Sequence, residues 1–298
     1  MFMGQDPSFS CSVHLSSLDD ALSFLAANGQ EPLLQYLKHL PPARQKRLVA
    51  SLAGIDLNEF SRMRHVVLQG SDVALDLSRI EPVPVISRDS LGEYESVGEE
   101  TLRQGKCAAL TVAGGLGSRL GFDGPKGCFS IMPLSGKSLF AVFAERIQRY
   151  GERFGFTPYW FIMTSDATHQ QTQDFFETHK FWGLDRQKVF FFRQGCFPVF
   201  DQAGHLLLAA EDRICFAPNG HGGVFEALAE AGLLSLMREK GIEYLSYFQV
   251  DNPLVRIFDA RFLGYHLAEH AEISTKVVWK RGPDENVGVF ARVDGRTT

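Results

Sequence analysis

Paired cysteines are what this sequence most plainly lacks. Its five, Cys11, Cys107, Cys128, Cys196 and Cys215, are scattered over 298 residues with no CxxC pair and no Cys/His spacing suited to zinc. An odd, unpatterned set argues against a disulfide scaffold and points to reduced thiols in a cytoplasmic protein. No apolar run approaches the ~20 residues that a membrane helix needs. The opening MFMGQDPSFSCSV has no basic stretch leading into an apolar core, so no secretory leader is expected. A long basic run is missing too, and the net charge is −5, which argues against a nucleic-acid partner. What remains, 45% hydrophobic and 22% charged, is the composition of a globular protein with a large core, of one large domain or two ordinary ones.

The chain divides by pattern. Residues 1–69 read as a helical segment. Ser17 and Asp20 stand at capping-box spacing, Leu18, Ala21, Leu22 and Leu25 form one stripe, and Asn28-Gly29 stops the helix. Further helices are expected over 33–40, 43–52 and 57–67, broken by Pro41-Pro42 and Gly54. Residues 70–105 read as a connector, acid-rich and weakly periodic over 70–99. From 106 to 298 strands and helices alternate, with strands expected at 107–112, 159–164, 189–192, 244–250, 275–280 and 287–292. Helices are expected at 138–154, 167–179, 222–240 and 260–269. That alternation predicts an α/β domain, a Rossmann-like and mostly parallel sheet with helices on both faces. Ligands of such sheets bind beyond the carboxyl ends of the strands. The last residues, VGVFARVDGRTT, read as a strand entering a turn with no closing element, so the chain is expected to be part of a longer protein.

The first of these strands runs into LTVAGGLGSRLGFDGPKGCFSI, which holds six glycines, Arg119 and the Pro125-Lys126 pair. Glycines let backbone N–H groups approach an anion without a Cβ between, and successive N–H groups can form an anion nest. Arg119 offers a planar fork to phosphate and Lys126 a point charge. A P-loop is not met, because Ile131 stands where the first glycine before Gly136-Lys137-Ser138 should be. A dinucleotide fingerprint is approached by Gly115-x-Gly117-x-x-x-Gly121 with one spacer too many, which leaves an NAD(P)-dependent oxidoreductase open. So does a structural turn with solvated cations, or a nucleotide-binding protein without catalysis.

AGGLGSRLGFDGPKG resembles the GGxGTRLG…PKG loop of the UTP-dependent sugar-1-phosphate uridylyltransferases, the UDP-sugar pyrophosphorylases, with Ser118 in place of the usual threonine. GQEPLLQYLKHL is similar to the family's helical N-terminal segment, FFRQGCFPVF to its base-reading segment, APNGHGGVFEAL to its second glycine loop, YFQVDNPLV to its metal-binding strand end and KVVWKRGPDENVGVF to its sugar-side hairpin. The resemblance spans roughly residues 29–292. It implies a nucleotidyltransferase of nucleotide-sugar biosynthesis that takes UTP and a sugar-1-phosphate as partners.

The same resemblance implies site residues. Arg119 and Lys126 would be catalytic. Val112, Ala113, Gly114, Gly115, Gln194, Gly220 and Gly222 would face the nucleotide. His221, Asn252 and Lys280 would meet the sugar phosphate, and Asp251 would hold Mg²⁺. A second metal-binding carboxylate and a later catalytic lysine would fall beyond residue 298. The chemistry of each residue type agrees. A glutamine amide both donates and accepts, so it matches the uracil edge and mismatches the amino group of cytosine. A carboxylate at a strand end suits magnesium on triphosphate oxygens. The sugar side departs from one subfamily: His221 and Trp279 stand where N-acetylhexosamine enzymes look like GNGG and VVEK. That leans the acceptor towards glucose-1-phosphate over N-acetylglucosamine-1-phosphate.

Overall fold

A computed structural model describes residues 15–70 and 77–297 of the chain. Cys11 and His14 lie outside the described residues. The chain forms two compact units, one of the N-terminal residues with Gly195–Gly220, the other of the remainder.

The first unit is built from the expected helices, α1 (Leu18–Ala27), α2 (Glu31–His39), α3 (Pro42–Leu52) and α4 (Leu57–Gln69). Helix α1 starts on the full capping box: the Asp20 amide donates to Ser17 Oγ, and the Asp20 carboxylate accepts the Ser17 amide. Prolines at the first turns of α2 and α3 occupy positions whose N–H has no helical partner. The apolar stripes, Leu25, Leu33, Leu37, Leu48, Leu52 and Phe60 among them, close one core with Leu206 and Ile214 of the inserted segment. That segment folds as short antiparallel pairs, Cys196–Pro198 with Phe216–Pro218 and Leu208–Ala210 with Arg213–Ile214. Gln30 is fully buried between the two parts. Its Nε2 donates to Gly204 O at 2.8 Å and its Oε1 accepts Leu206 N at 2.7 Å.

The second unit holds a four-stranded parallel sheet. Its strands are β1 (Cys107–Val112), β2 (Tyr159–Thr164), β3 (Val189–Arg193) and β4 (Tyr244–Gln249), in the spatial order β3-β2-β1-β4. Alternate residues face opposite ways, and both faces are covered. Cys107, Ala109, Trp160 and Ile162 pack under α5 (Glu95–Arg103), α6 (Leu139–Phe154), α7 (His169–Thr178) and α10 (Ala260–Ala268). Ala108, Leu110, Phe161 and Met163 pack against α8 (Val224–Glu230) and α9 (Leu233–Lys240). Burial pushes the Cys107 and Cys128 thiols up to about 12.

Three local expectations fail for physical reasons. The helix expected over 222–240 is two helices, because Gly232 adopts a left-handed φ of 71° between them. Residues 88–103, expected within a connector, form a tight turn and then α5. Helix α5 crosses α10 so closely that a Cβ on Gly98 would lie 1.9 Å from Ala260 O. That docking uses glycine rather than an apolar stripe, so periodicity did not reveal it. Residues 275–280 form no strand: Val278 and Trp279 are 91% and 84% exposed, and no ladder partner is paired with them. Further on, Ala291–Val293 does pair, antiparallel to Ile80–Pro82.

Replacing Gln30 by leucine leaves the buried Leu206 amide unpaired and Gly204 O with only its bond from Arg64 Nε, which should cost about 1–3 kcal/mol of stability. Chemical denaturation of Gln30→Leu should show that loss. A midpoint unchanged from the parent would contradict the bridging role.

Candidate functional site

The glycine loop leaves β1 at its carboxyl end. Ala113, fully buried, continues the ladder by donating its N–H to Met163 O at 2.7 Å. From Gly114 the backbone turns, and at three points it passes close to a neighbouring side chain. A Cβ on Gly114 would lie 3.0 Å from Gln194 Oε1 and 3.1 Å from its Nε2, so the glutamine amide rests directly on the loop. A Cβ on Gly117 would lie 2.7 Å from the Phe122 ring, and one on Gly127 would lie 2.1 Å from that of Phe140. The loop is closed on itself by Lys126 N to Gly115 O at 3.0 Å and Gly117 N to Gly124 O at 2.8 Å. Arg119 stands exposed in the short turn Ser118–Leu120.

Two of the expected residues meet across the sheet. Lys126 Nζ donates to Asp251 Oδ2 at 2.9 Å, although 125 residues separate them. Lys126 is pinned by Gly127 on Phe140 of α6, and Asp251 follows β4, whose neighbour in the sheet is β1. The side chains are 24% and 48% exposed, so an ammonium and a carboxylate stand side by side at the surface. The Lys126 head also lies near Gly115, 4.0 Å from where a Cβ would be. Asn252 turns the chain after Asp251, donating its N–H to Gln249 O. Gln194 ends β3 and donates its N–H to Thr164 O at 2.8 Å.

His221 is exposed, and its Nδ1 is hydrogen-bonded to the hydroxyl of Tyr247 on β4. Gly222 follows it in the turn that opens α8. Gly220, with a left-handed φ of 64°, belongs to the first unit. Lys280 stands apart. It is exposed in an irregular segment and its Nζ donates to Pro283 O at 3.2 Å, so the structure groups it with neither Lys126 nor Asp251.

Several supporting residues carry no signal in the motifs. Ser165, just past β2, donates its hydroxyl to Gly114 O at 2.7 Å and so fixes the start of the loop. Arg146 of α6 donates to Val255 O at 3.1 Å and also to Pro253 O, clamping the turn after Asp251. Tyr247 could have been noticed as an aromatic on a strand four residues before Asp251. Its pairing with His221 could not. Burial raises the pKa of the Tyr247 phenol, while burial and the nearby Arg193 lower that of His169, which bonds Thr164.

The competing motifs do not survive the geometry. After the glycine loop no α-helix follows until Leu139, so the dinucleotide arrangement, which needs an α-helix directly behind its glycines, is not formed. Lys137 pairs with Glu145, and Ser138 caps α6 by accepting Ala141 N. A cavity of about 510 Å³ lined by Cys128, Lys137, Gln148, His179 and Trp182 contains none of the expected site residues. Among the described residues no three His, Cys, Asp or Glu side chains gather as a metal cage. A single exposed carboxylate suits magnesium, which keeps waters and takes its remaining ligands from phosphate oxygens, rather than zinc.

A parallel sheet with a cationic glycine loop at one strand end and a carboxylate at the next is the α/β class of architecture whose ligands bind beyond the carboxyl ends of the strands. The chain belongs to the UTP–glucose-1-phosphate uridylyltransferase family, whose pattern it matches over residues 57–298. It is 36% identical over 283 residues to UDP-N-acetylglucosamine diphosphorylase 2 of Arabidopsis thaliana, covering 89% of this chain and 56% of that protein. A crystal structure of the UDP-N-acetylglucosamine pyrophosphorylase from Trypanosoma brucei with an inhibitor superposes with a TM-score of 0.77 at 32% identity. The match covers 98% of this chain and 61% of that one. UDP-glucose pyrophosphorylase from Leishmania major, in its S374F form with UDP-glucose, shares the fold with a TM-score of 0.59 at 23% identity, over 78% of this chain and 48% of that one. The chain thus spans little more than half the length of its relatives. No helix among the described residues is long and apolar enough to cross a membrane.

Replacing Arg146 by methionine should free the turn that carries Asp251. Hydrogen exchange over residues 250–256 should accelerate by roughly tenfold or more, as expected for loss of charge-assisted bonds. Unchanged exchange there would show that the clamp is not what orders the turn.

Proposed function

We propose that the protein transfers a uridylyl group from UTP to a sugar-1-phosphate, releasing pyrophosphate. The observation that carries this reading is the meeting of Lys126 with Asp251 beside the Gly114–Gly115 backbone, at the carboxyl ends of adjacent parallel strands. Residues 106–298, apart from Gly195–Gly220, would form the catalytic part. An oxygen of the sugar-1-phosphate attacks the α-phosphorus of UTP, and pyrophosphate leaves in line, with no covalent enzyme intermediate. Both reactants are anions, so the site must offset their repulsion. Lys126 and Arg119 place positive charge against the phosphates, and the N–H groups of Gly114 and Gly115 add donors that need no reorganisation.

Gln194, resting on Gly114, reads the uracil edge with one donor and one acceptor. Asp251 would hold Mg²⁺, which when bound draws phosphate oxygens together and offsets their charge. Asn252, His221 and Lys280 would serve the sugar-phosphate side.

The relatives above 30% identity carry N-acetylglucosamine or N-acetylhexosamine in their names, whereas the UDP-glucose matches lie at 23% identity or below. N-acetylglucosamine-1-phosphate is therefore the favoured acceptor, in place of the glucose-1-phosphate suggested by His221 and Trp279 alone. Pyrophosphate release should be faster with N-acetylglucosamine-1-phosphate than with glucose-1-phosphate, and the reverse order would overturn the acceptor assignment.

Lys126→Ala should lower turnover by about 10²–10³-fold while changing the KM for UTP far less, the pattern of a group that acts in the transition state. Turnover near that of the parent would remove Lys126 from the chemistry. Asp251→Ala should abolish the magnesium requirement together with activity. Retained magnesium-dependent turnover would place the metal elsewhere.

A further inference from the structure

We propose that Tyr247 is a positioning residue for His221, holding the imidazole and biasing its proton onto Nε2, where it is offered to the nucleotide sugar. This role deepens the uridylyltransferase reading and rests on the loop around His221 facing that ligand. Tyr247 pairs with Leu110 of β1, on a strand that borders the sheet, two residues before the strand ends. Its ring meets the imidazole edge to face, with centroids 5.9 Å apart, and its hydroxyl bonds Nδ1. The loop carrying His221 is bordered by Gly220 and Gly222, and a Cβ at Gly220 would meet open space. The loop itself therefore gives the ring little support, and the anchor comes from the sheet.

The consequence follows from which nitrogen can hold a proton. A neutral imidazole has one N–H, and the bond made by one nitrogen decides the state of the other. Burial keeps the Tyr247 phenol protonated, and a phenol is a better donor than acceptor, so in the neutral pair it favours donating to Nδ1, which biases the proton onto Nε2. When the ring is doubly protonated, Nδ1–H donates to the phenol oxygen, and Nε2 still bears its proton. The outward nitrogen is thus a donor in the charged ring and the favoured donor in the neutral one. A phosphate oxygen or a sugar carbonyl accepts such a bond, whereas a bare ring nitrogen in that place would repel it. Without the phenol, the neutral ring would divide between tautomers, and one of them presents the wrong polarity.

Nitrogen-15 correlation spectra of the histidine rings test the positioning directly, with the His221 signals assigned from their loss in His221→Asn. The parent protein should show an unprotonated Nδ1 and a protonated Nε2, and Tyr247→Phe should show a mixture. A protonated Nδ1 in the neutral parent ring, or the same tautomer in Tyr247→Phe, would overturn the proposal. In kinetics, Tyr247→Phe should raise the KM for N-acetylglucosamine-1-phosphate by about three- to tenfold, the worth of one ordinary hydrogen bond, and leave that for UTP within about twofold. The same substitution made in His221→Asn should add nothing, and an equal loss in both backgrounds would contradict the coupling. If the parent protein releases no pyrophosphate from UTP, the uridylyltransferase reading fails, while the tautomer spectra still decide what Tyr247 does to His221.

Discussion

The approach of bare backbone to its neighbours at the end of β1 is the constraint on which the rest of the site depends. Gly114 lies tightly under the Gln194 amide, while Gly117 against Phe122 and Gly127 against Phe140 have no space for a Cβ. These contacts fix the course of the loop at both ends. At its start the peptide N–H groups lie beside a side chain able to read a base edge. At its end Lys126 is held one residue before a glycine locked onto α6. Loop, glutamine and lysine are therefore packed together, and a methyl group added at Gly127 would displace the loop where it carries Lys126.

The sheet turns that object into a site. Strands β1 to β4 are parallel, so their carboxyl ends lie along one edge, and Gln194, the glycine loop and Asp251 each follow a strand there. Burial of both faces makes the platform rigid, as the proposed transfer between two anions would require if its positive groups are to be in place beforehand. Ser165 and Arg146 extend that rigidity into the turns, through one bond to Gly114 O and two to the carbonyls after Asp251. The Lys126–Asp251 contact gives each partner a counter-charge at a half-open surface, where such a pair contributes little to stability. The pair is better understood as a marker of where phosphate and metal charge would be accommodated.

Much of this was legible in the residues. The helices α1 to α4 announced themselves through a capping box, prolines at first turns and 3.6-residue stripes. The four parallel strands stood out as apolar runs bounded by turns. The loop stood out through its glycines and cations, whereas Gln194 and Asp251 were singled out only through the resemblance to the uridylyltransferase family; the structure sets Gln194 on Gly114 and Asp251 against Lys126. What was not legible depended on tertiary approach. Helix α5 docks through Gly98 on α10, which no periodicity marks. Residues 275–280 have the composition of a strand but no neighbour to pair with, so Lys280 came out exposed and apart from the other candidates. Tyr247, Arg146 and Ser165 act through residues distant in sequence, which a single sequence does not encode locally.

A crystal structure of the protein with UTP and magnesium tests the central claim most directly. The account predicts uracil paired with the Gln194 amide and phosphate oxygens within hydrogen-bond distance of the Gly114 and Gly115 amides and of Lys126. Nucleotide bound away from that strand edge, with those amides turned from it, would contradict the account.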